Sequence, residues 1–373
     1  MNRRVLVARL DSVGDVLLAG PAVRAIAAEA EVVMLAGPQG SGAAALLPGV
    51  ENVISWASPW IVDPAPPVDA PSIEDLHRQM VDARIDEAVI LTSFHQSPLP
   101  LALLLRLSGV DRITGASTDF AGSLLDVRLK PGEDFPEDQP EAERALCIAA
   151  AAGFRLPAGD PGKLAVRADP AATALTGTDP YIVVHPGAAV PARAWPPEHH
   201  AAAVTLLSQA GYRVLVTGGP GETAITAQVA GSYATDLGGQ TDLRTLAAVL
   251  AGASAIVVGN TGPAHLAAAV GTPVVSLFAP VVPAIRWAPY GVPTVLLGDQ
   301  QAACRNTRAR QCPVPGHPCL SSVRPVRVLE AVRQLAPGAA RQEQHAAGRA
   351  EPAAQHRQHA AGRAEDRKEV RTV

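Results

Sequence analysis

Residues 255–278 read AIVVGNTGPAHLAAAVGTPVVSLF, and the order of properties along this stretch decides the fold. Ala255–Gly259 is a short apolar run that suits a buried strand. Asn260-Thr261-Gly262 is a polar turn, and Pro263 follows as the first residue of a helix, where its missing N–H costs nothing. The helix Pro263–Val270 leads into a second apolar run, Val274–Phe278. Strand, helix and strand in so short a span form a parallel crossover unit.

The same alternation extends outward. Strands are expected at Tyr181–His185 and Arg213–Thr217, with helices at His199–Ala210, Glu222–Gly231 and Leu243–Ala251. A second series begins with the strand Val5–Leu10 and a helix Val16–Glu29 that carries Pro21 near its first turn. It continues through Glu31–Leu35, the glycine-rich loop Gly37–Gly42, Asn52–Ser55 and the proline-rich loop Ala57–Pro71. A helix Ile73–Arg84, a strand Glu87–Leu91, a helix Leu99–Leu107 and a short strand at Arg112–Ile113 complete it. Two such series predict an α/β chain of the GT-B kind: two Rossmann-like lobes whose parallel sheets face an interdomain cleft.

A length of 373 residues exceeds what one hydrophobic core usually serves, which agrees with two lobes. The expected division is 1–160, 161–322, a C-terminal helix over 323–336 and a disordered tail over 337–373, with the interdomain connection near Pro157–Gly162. In the tail QHAAGRAE occurs at Gln344–Glu351 and again at Gln358–Glu365 among few large apolar residues, too few to offset the entropy of ordering. His345, His356 and His359 are read as part of this low-complexity repeat, not as metal ligands.

A net charge of −4 and the lack of a Lys/Arg stripe in the body argue against nucleic acid as a partner. Arg106 interrupts the apolar run around Leu99–Leu107, and the amino terminus lacks the features of a signal peptide, so the expected location is the cytoplasm. Cys147, Cys304, Cys312 and Cys319 include no CxxC pair, and no disulfide framework is expected.

Four strand-end loops carry residues suited to chemistry. In Arg9-Leu10-Asp11-Ser12-Val13-Gly14-Asp15, Gly14 permits a tight turn, and Asp15 is either a helix N-cap or a general base facing the cleft. In His185-Pro186-Gly187-Ala188-Ala189 with Arg193-Ala194-Trp195-Pro196, Arg193 either grips a diphosphate with its planar fork or lies on the surface over Trp195. In Gly259–His265 the free amides of Thr261 and Gly262, at the positive end of a helix dipole, form an anion site. His265 there is a packing or capping residue or a catalyst. Glu222, after Gly218-Gly219-Pro220-Gly221, either accepts from a ribose hydroxyl or favours a helix start. None of these loops is a dinucleotide fingerprint, a P-loop or a nucleophile elbow. The group Cys304, Cys312, Cys319 and His317 is read as a structural loop in preference to a zinc site.

Together these segments resemble the heptosyltransferases, glycosyltransferase family 9. VLVARLDSVGDVLLAGPAVRAI (Val5–Ile26), VVHPGAAVPARAWP (Val183–Pro196), LGGQTDLRTLAAVLAGA (Leu237–Ala253), GNTGPAHLAAAVGTPVVSLFAP (Gly259–Pro280) and CPVPGHPCL (Cys312–Leu320) occur in the family's order. The resemblance implies an enzyme that moves a heptose or related sugar from a nucleotide diphosphate donor, ADP-heptose, to an acceptor hydroxyl by an inverting single displacement. It implies no metal and no cofactor beyond the nucleotide sugar. The acceptor would be a glycan or lipid-linked molecule, compatible with peripheral contact at the inner face of the cell membrane.

By the same resemblance Asp15 is the catalytic base, with Arg9, Ser12, Gly14 and His95 on the acceptor side. Arg193, Glu222, Asn260, Thr261, Gly262, His265, Ala188, Ala189 and Thr241 fall on the donor side. The chain departs from the family at Arg193, where many members have Lys, at Asn260, where Asp is common, and at Ala188 and Ala189, where hydroxyl residues are found. These departures leave open a transferase for another nucleotide sugar, or a catalytically silent nucleotide-sugar-binding protein.

Overall fold

The computed structural model describes residues 3–169 and 172–340; the tail repeats and their histidines lie outside the described residues. Twelve strands form two six-stranded parallel sheets. The first holds β1 (Arg4–Arg9), β2 (Glu31–Ala36), β3 (Val50–Ser55), β4 (Glu87–Ile90), β5 (Arg112–Ala116) and β6 (Val127–Leu129), in the order β3-β2-β1-β4-β5-β6. The second holds β7 (Ile182–His185), β8 (Val214–Gly218), β9 (Thr235–Gly238), β10 (Ala255–Gly259), β11 (Val274–Leu277) and β12 (Thr294–Leu297), in the order β12-β11-β10-β7-β8-β9. Both sheets therefore have the same topology, that of an open doubly wound fold, and each reverses direction between its first and fourth strands.

The central strands are covered on both faces by helices, which is why they read as unbroken apolar runs without alternation. Val5, Leu6, Val7, Ile256, Val257 and Val258 are fully buried. Register pins β1 between its neighbours: Val7 pairs with Met34 on one side and Val89 on the other. In the second sheet Val183 pairs with Ile256 and Leu215.

The structure corrects several expectations. The single helix over Val16–Glu29 is two, Val13–Leu18 and Gly20–Ala27, with Ala19 between them. Pro21 has no N–H for the carbonyl one turn earlier, so it interrupts the first helix and fits the first turn of the second. The helix Ala70–Ala83 starts inside the expected proline-rich loop, because Asp69 caps it by accepting from the Ser72 N–H at 2.8 Å. The short strands β6, β9 and β12 and the helix Glu141–Ala151 were absent from the sequence reading.

After Glu141–Ala151 the chain stays against the first lobe. Arg24 grips Asp160 through Nε and Nη2 at 2.7 and 2.8 Å, and the Arg167 N–H donates to Leu46 O at 2.7 Å. The C-terminal helix Pro325–Leu335 packs on Pro197–Gln209 of the second lobe. One apolar cluster runs across both lobes, joining Val16 and Leu17 to Ala264, Leu266 and Ala267. Among the described residues no helix is long and apolar enough to cross a membrane.

Candidate active site between the two sheets

Loops at the carboxyl ends of β1, β4, β7, β8 and β10 converge on a cavity of roughly 680 Å³. Asp11, Ser12 and Asp15 line it from the first lobe, and His185, Ala189, Arg193, Glu222, Thr241, Thr261 and Gly262 from the second. His95 lines it as well, and an adjoining space of roughly 350 Å³ adds Gly14, Asn260, His265 and Trp287. The structure thus brings nearly all of the candidate residues to one place; Arg9 stands behind Asp15, and Ala188 lies beside the cavity wall residue Ala189.

Asp15 does not cap its helix. It is the third residue of Val13–Leu18, and no side chain caps that helix. Its Oδ1 accepts from Arg9 Nη2 at 3.0 Å and from Trp287 Nε1 at 3.1 Å, and its Oδ2 accepts from the Ser12 hydroxyl at 2.8 Å. Burial opposes ionisation here, but the Arg9 guanidinium and the bonds from Ser12 and Trp287 outweigh it. They hold the carboxyl below its ordinary value. Asp15 is therefore a fixed anion at the mouth of the site.

Arg9 owes its place to three carboxylates. It is only 3% exposed, with Nε 2.9 Å from Asp11 Oδ2 and Nη2 3.5 Å from Glu141 Oε2, while Nη2 also donates to Ser93 Oγ at 2.8 Å. Burial works against its charge, but Asp11, Asp15 and Glu141 more than restore it. This makes Arg9 a buried support for the Asp15 carboxylate. Asp11 feels burial most, aided by Asp15 and Glu141 and opposed by Arg9 and by a hydrogen bond from Gln96. The net effect lifts it to about 6.

On the second lobe the expected pair of free amides is corrected. The Thr261 N–H donates to Gly259 O at 2.9 Å, so what Thr261 offers is its hydroxyl, which is buried without a partner. Gly262 opens the helix Gly262–Ala269, and its N–H has no carbonyl one turn back within that helix. Asn260 is pinned to Ala279, accepting from its N–H at 3.3 Å and donating to its carbonyl at 3.4 Å, a pairing that requires an amide. His265 is buried and faces Gly14; burial drives its pKa down to about 4 despite Asp15, with Arg193 adding to the fall. Its Nδ1 is buried without a partner.

Arg193 lines both spaces, with Nη1 3.4 Å from Asn260 O and a buried, unpartnered Nε. Trp195 lies in the core, where its indole donates to Val323 O at 3.2 Å. Glu222 sits at the helix start, where Oε2 accepts from the Gly219 N–H at 2.7 Å, and it also lines the cavity. A Cβ on Gly187 would collide with the Glu222 carboxylate, so glycine there leaves that carboxylate its place.

Residues that the sequence reading did not assign to the site also reach it. Asp63 comes from the first-lobe loop 57–71, and Arg308 and Arg310 from the loop after Cys304. Arg310 Nε is 3.1 Å from Asp63 Oδ2, and Arg308 helps burial push the His95 pKa down. The arginines of RNTRAR were a visible signal; Trp287 and Glu141 had none.

All four cysteines are free. Cys304 and Cys319 are buried in the second-lobe core, and burial followed by Cys304 pushes Cys319 up to about 12. His317 Nε2 is turned to Ala192 O at 3.1 Å. Among the described residues no three His, Cys, Asp or Glu side chains are grouped to hold a metal ion.

The sequence pattern of "Glycosyltransferase family 9 (heptosyltransferase)" matches residues 87–317. Lipooligosaccharide heptosyltransferase 2 of Haemophilus influenzae is 31% identical over 119 residues, covering 30% of this chain and 34% of the relative. Lipopolysaccharide heptosyltransferase 2 of Escherichia coli is 27% identical over 228 residues, covering 56% and 64%. These matches span from about a third to just under two thirds of the relatives' own length. The solved structure of the E. coli ADP-heptose lps heptosyltransferase II has the same fold, with a TM-score of 0.67 at 21% identity over 90% of this chain and 98% of that one.

Proposed function

Because the chain belongs to glycosyltransferase family 9, we propose that it transfers a heptose from ADP-heptose to the hydroxyl of a glycan or lipid-linked acceptor, with inversion. The observation that carries this reading is that Asp15 of one lobe and Arg193, Thr261 and Gly262 of the other line a single space. Asp15 takes the proton of the acceptor hydroxyl as its oxygen bonds to the anomeric carbon. The bond to the diphosphate breaks on the opposite face, and its electron pair leaves with the phosphate oxygen.

Charge on the departing ADP is met by Arg193, the Thr261 hydroxyl and the Gly262 amide at the helix end. Glu222 holds ribose hydroxyls. His265, neutral at pH 7, offers a donor without adding charge beside Asp15. A fixed cation and a helix terminus supply what a metal supplies in other sites, so the reading needs no metal ion. The names of the Haemophilus and E. coli relatives support a lipopolysaccharide-type acceptor, and with it a place in the cytoplasm at the inner face of the membrane.

A second donor is the alternative that particular residues favour: Ala188 and Ala189 bring no hydroxyl to their loop, and Asn260 brings no carboxylate. The deciding experiment incubates the purified chain with ADP-heptose and with UDP- and GDP-sugars, using deacylated lipopolysaccharide as acceptor. Products are read by mass spectrometry, with and without EDTA. Heptosylated product from ADP-heptose alone, unaffected by EDTA, is expected. Transfer only from another nucleotide sugar selects the alternative, and no product from any donor removes the reading.

A further inference from the structure

Trp287 ends the short helix Ala284–Trp287, which follows β11 in the second lobe, yet its indole reaches the first lobe to donate to Asp15 Oδ1 at 3.1 Å. The neighbouring side chains cross the same gap. Arg286 Nη2 donates to Glu137 Oε2 at 2.7 Å, its Nη1 lies 3.9 Å from Glu141 Oε1, and its guanidinium stands 4.3 Å from the centre of the Phe94 ring. The Trp287 ring is 5.9 Å from that of Phe94, and the Tyr290 hydroxyl donates to Glu143 Oε1 at 3.3 Å. Of these contacts, the Trp287 bond is the one that lands on the candidate base.

An indole N–H donates and never accepts. Beside a carboxylate it favours the charged form and fixes the plane of the group. Oδ1 of Asp15 already accepts from Arg9, so with Trp287 added its lone pairs are taken. Oδ2 holds the Ser12 hydroxyl bond and keeps a second lone pair for an incoming proton. We propose that Trp287 is a positioning residue for the transfer reaction: its bond to Asp15 selects the oxygen that takes the acceptor's proton, and the base is complete only while the lobes are together. This rests on the reading of Asp15 as the base.

The charged or titratable groups that face Asp15 are Arg9 and Asp11 from the β1 end, Glu141 from its helix, His95 after β4, and Arg193 and His265 from the second lobe. Trp287 is uncharged, so removing its N–H changes the base without altering the number of charges around it. Asp15 should then titrate higher, because a bond to its ionised form has been lost.

The chain has four tryptophans, and the full chain labelled on its indole nitrogens should give a resonance for each. The Trp287 resonance, identified by its absence in Trp287→Phe, is expected to move in Asp15→Asn while those of Trp56, Trp60 and Trp195 stay in place. In the wild-type chain it should also move as acid protonates Asp15. With ADP-heptose and deacylated lipopolysaccharide, Trp287→Phe should lower kcat about tenfold with KM little changed. It should also raise the acidic limb of the kcat profile by about one pH unit.

A Trp287 resonance indifferent to Asp15→Asn overturns the proposal, and so does an unmoved acidic limb in a chain that Asp15→Asn inactivates. Should Asp15→Asn keep its turnover, the base assignment fails and the proposal with it. The spectrum then tells whether the cross-lobe bond itself was also misplaced.

Discussion

A methyl group added to Gly14 would lie 2.7 Å from Cδ2 of His265, so the two lobes meet where only hydrogen fits. Nearby, a Cβ on Gly262 would lie 3.0 Å from Val13, which leaves little slack on either side. Gly14→Ala should push the lobes apart, lowering kcat at least about tenfold and costing about 1–3 kcal/mol of stability. Steady-state kinetics beside thermal unfolding checks this, and wild-type values in both would show that the seam gives way freely.

Asp15→Asn keeps the size of the side chain and an oxygen to accept from Arg9, but it replaces the oxygen to which Ser12 donates, and with it the basic site, by an amide nitrogen that only donates. Transfer should fall by about 100- to 10,000-fold, the usual worth of a positioned general base. ADP affinity, measured by calorimetry, should stay within a few-fold of the wild-type value, since the residues proposed to hold the nucleotide lie on the other lobe.

Arg193→Ala takes away the cation aimed at the diphosphate. ADP should bind about 10- to 100-fold more weakly, in line with the loss of one charge-assisted contact. Arg193→Lys should recover only part, because a single ammonium cannot reproduce the fork. Equal ADP affinity in all three proteins would remove the phosphate role.

Gly187→Ala should displace the Glu222 carboxylate and weaken ADP binding. In the background of Glu222→Ala the same change should cost far less, because the two positions share one contact. A double-mutant cycle on ADP affinity measures the coupling, and simple additivity would contradict the packing.

Acid should destabilise the chain before its carboxylates protonate in bulk. Burial, followed by His185 and His199, pushes His200 down to about 3, and His265 is pushed to about 4, both from an ordinary 6.5. Between those values and 6.5 the unfolded chain binds more protons, so stability is full above about 6.5 and is lost as pH falls. The limit is about 1.4 kcal/mol per pH unit for each group. Asp11, raised to about 6, works in the opposite sense and offsets part of the loss. His200→Phe keeps a ring against Trp195, 4.7 Å away, and should flatten the fall in denaturation midpoint between pH 7 and 5.

The fold was readable where strands are buried on both faces, because Val5–Leu10 and Ala255–Gly259 could be nothing but interior. Of the four edge strands only Val50–Ser55 was read; Thr235–Gly238 is half polar and partly exposed, and Val127–Leu129 has only three residues. Pro140 and the acidic Glu141 and Glu143 did mark a helix start, which went unread in an alanine-rich stretch. That Asp15, Arg193, Thr261 and Glu222 would gather at one cavity was visible because all four lie in strand-end loops, which such folds bring together. Trp287 meets Asp15 from 272 positions away, a contact that no local pattern encodes. The hydrogen bond that occupies the Thr261 amide was hidden as well, since it depends on the turn the backbone makes after Gly259.

Each sheet reverses its strand order at its own midpoint, and the chain passes between the sheets once, within 168–181. Two sheets of one topology are thus joined by a single connection, the first bringing Asp15 and the second Arg193, Thr261 and Gly262 to their shared space. A hybrid spliced at that joint would need to match its parent along the whole seam, from the apolar contact of Val16 and Leu17 with Leu266 through Gly14–His265 and Asp15–Trp287 to the Arg286–Glu137 and Arg310–Asp63 pairs. Selection could in this way exchange what receives the sugar while leaving untouched what delivers it.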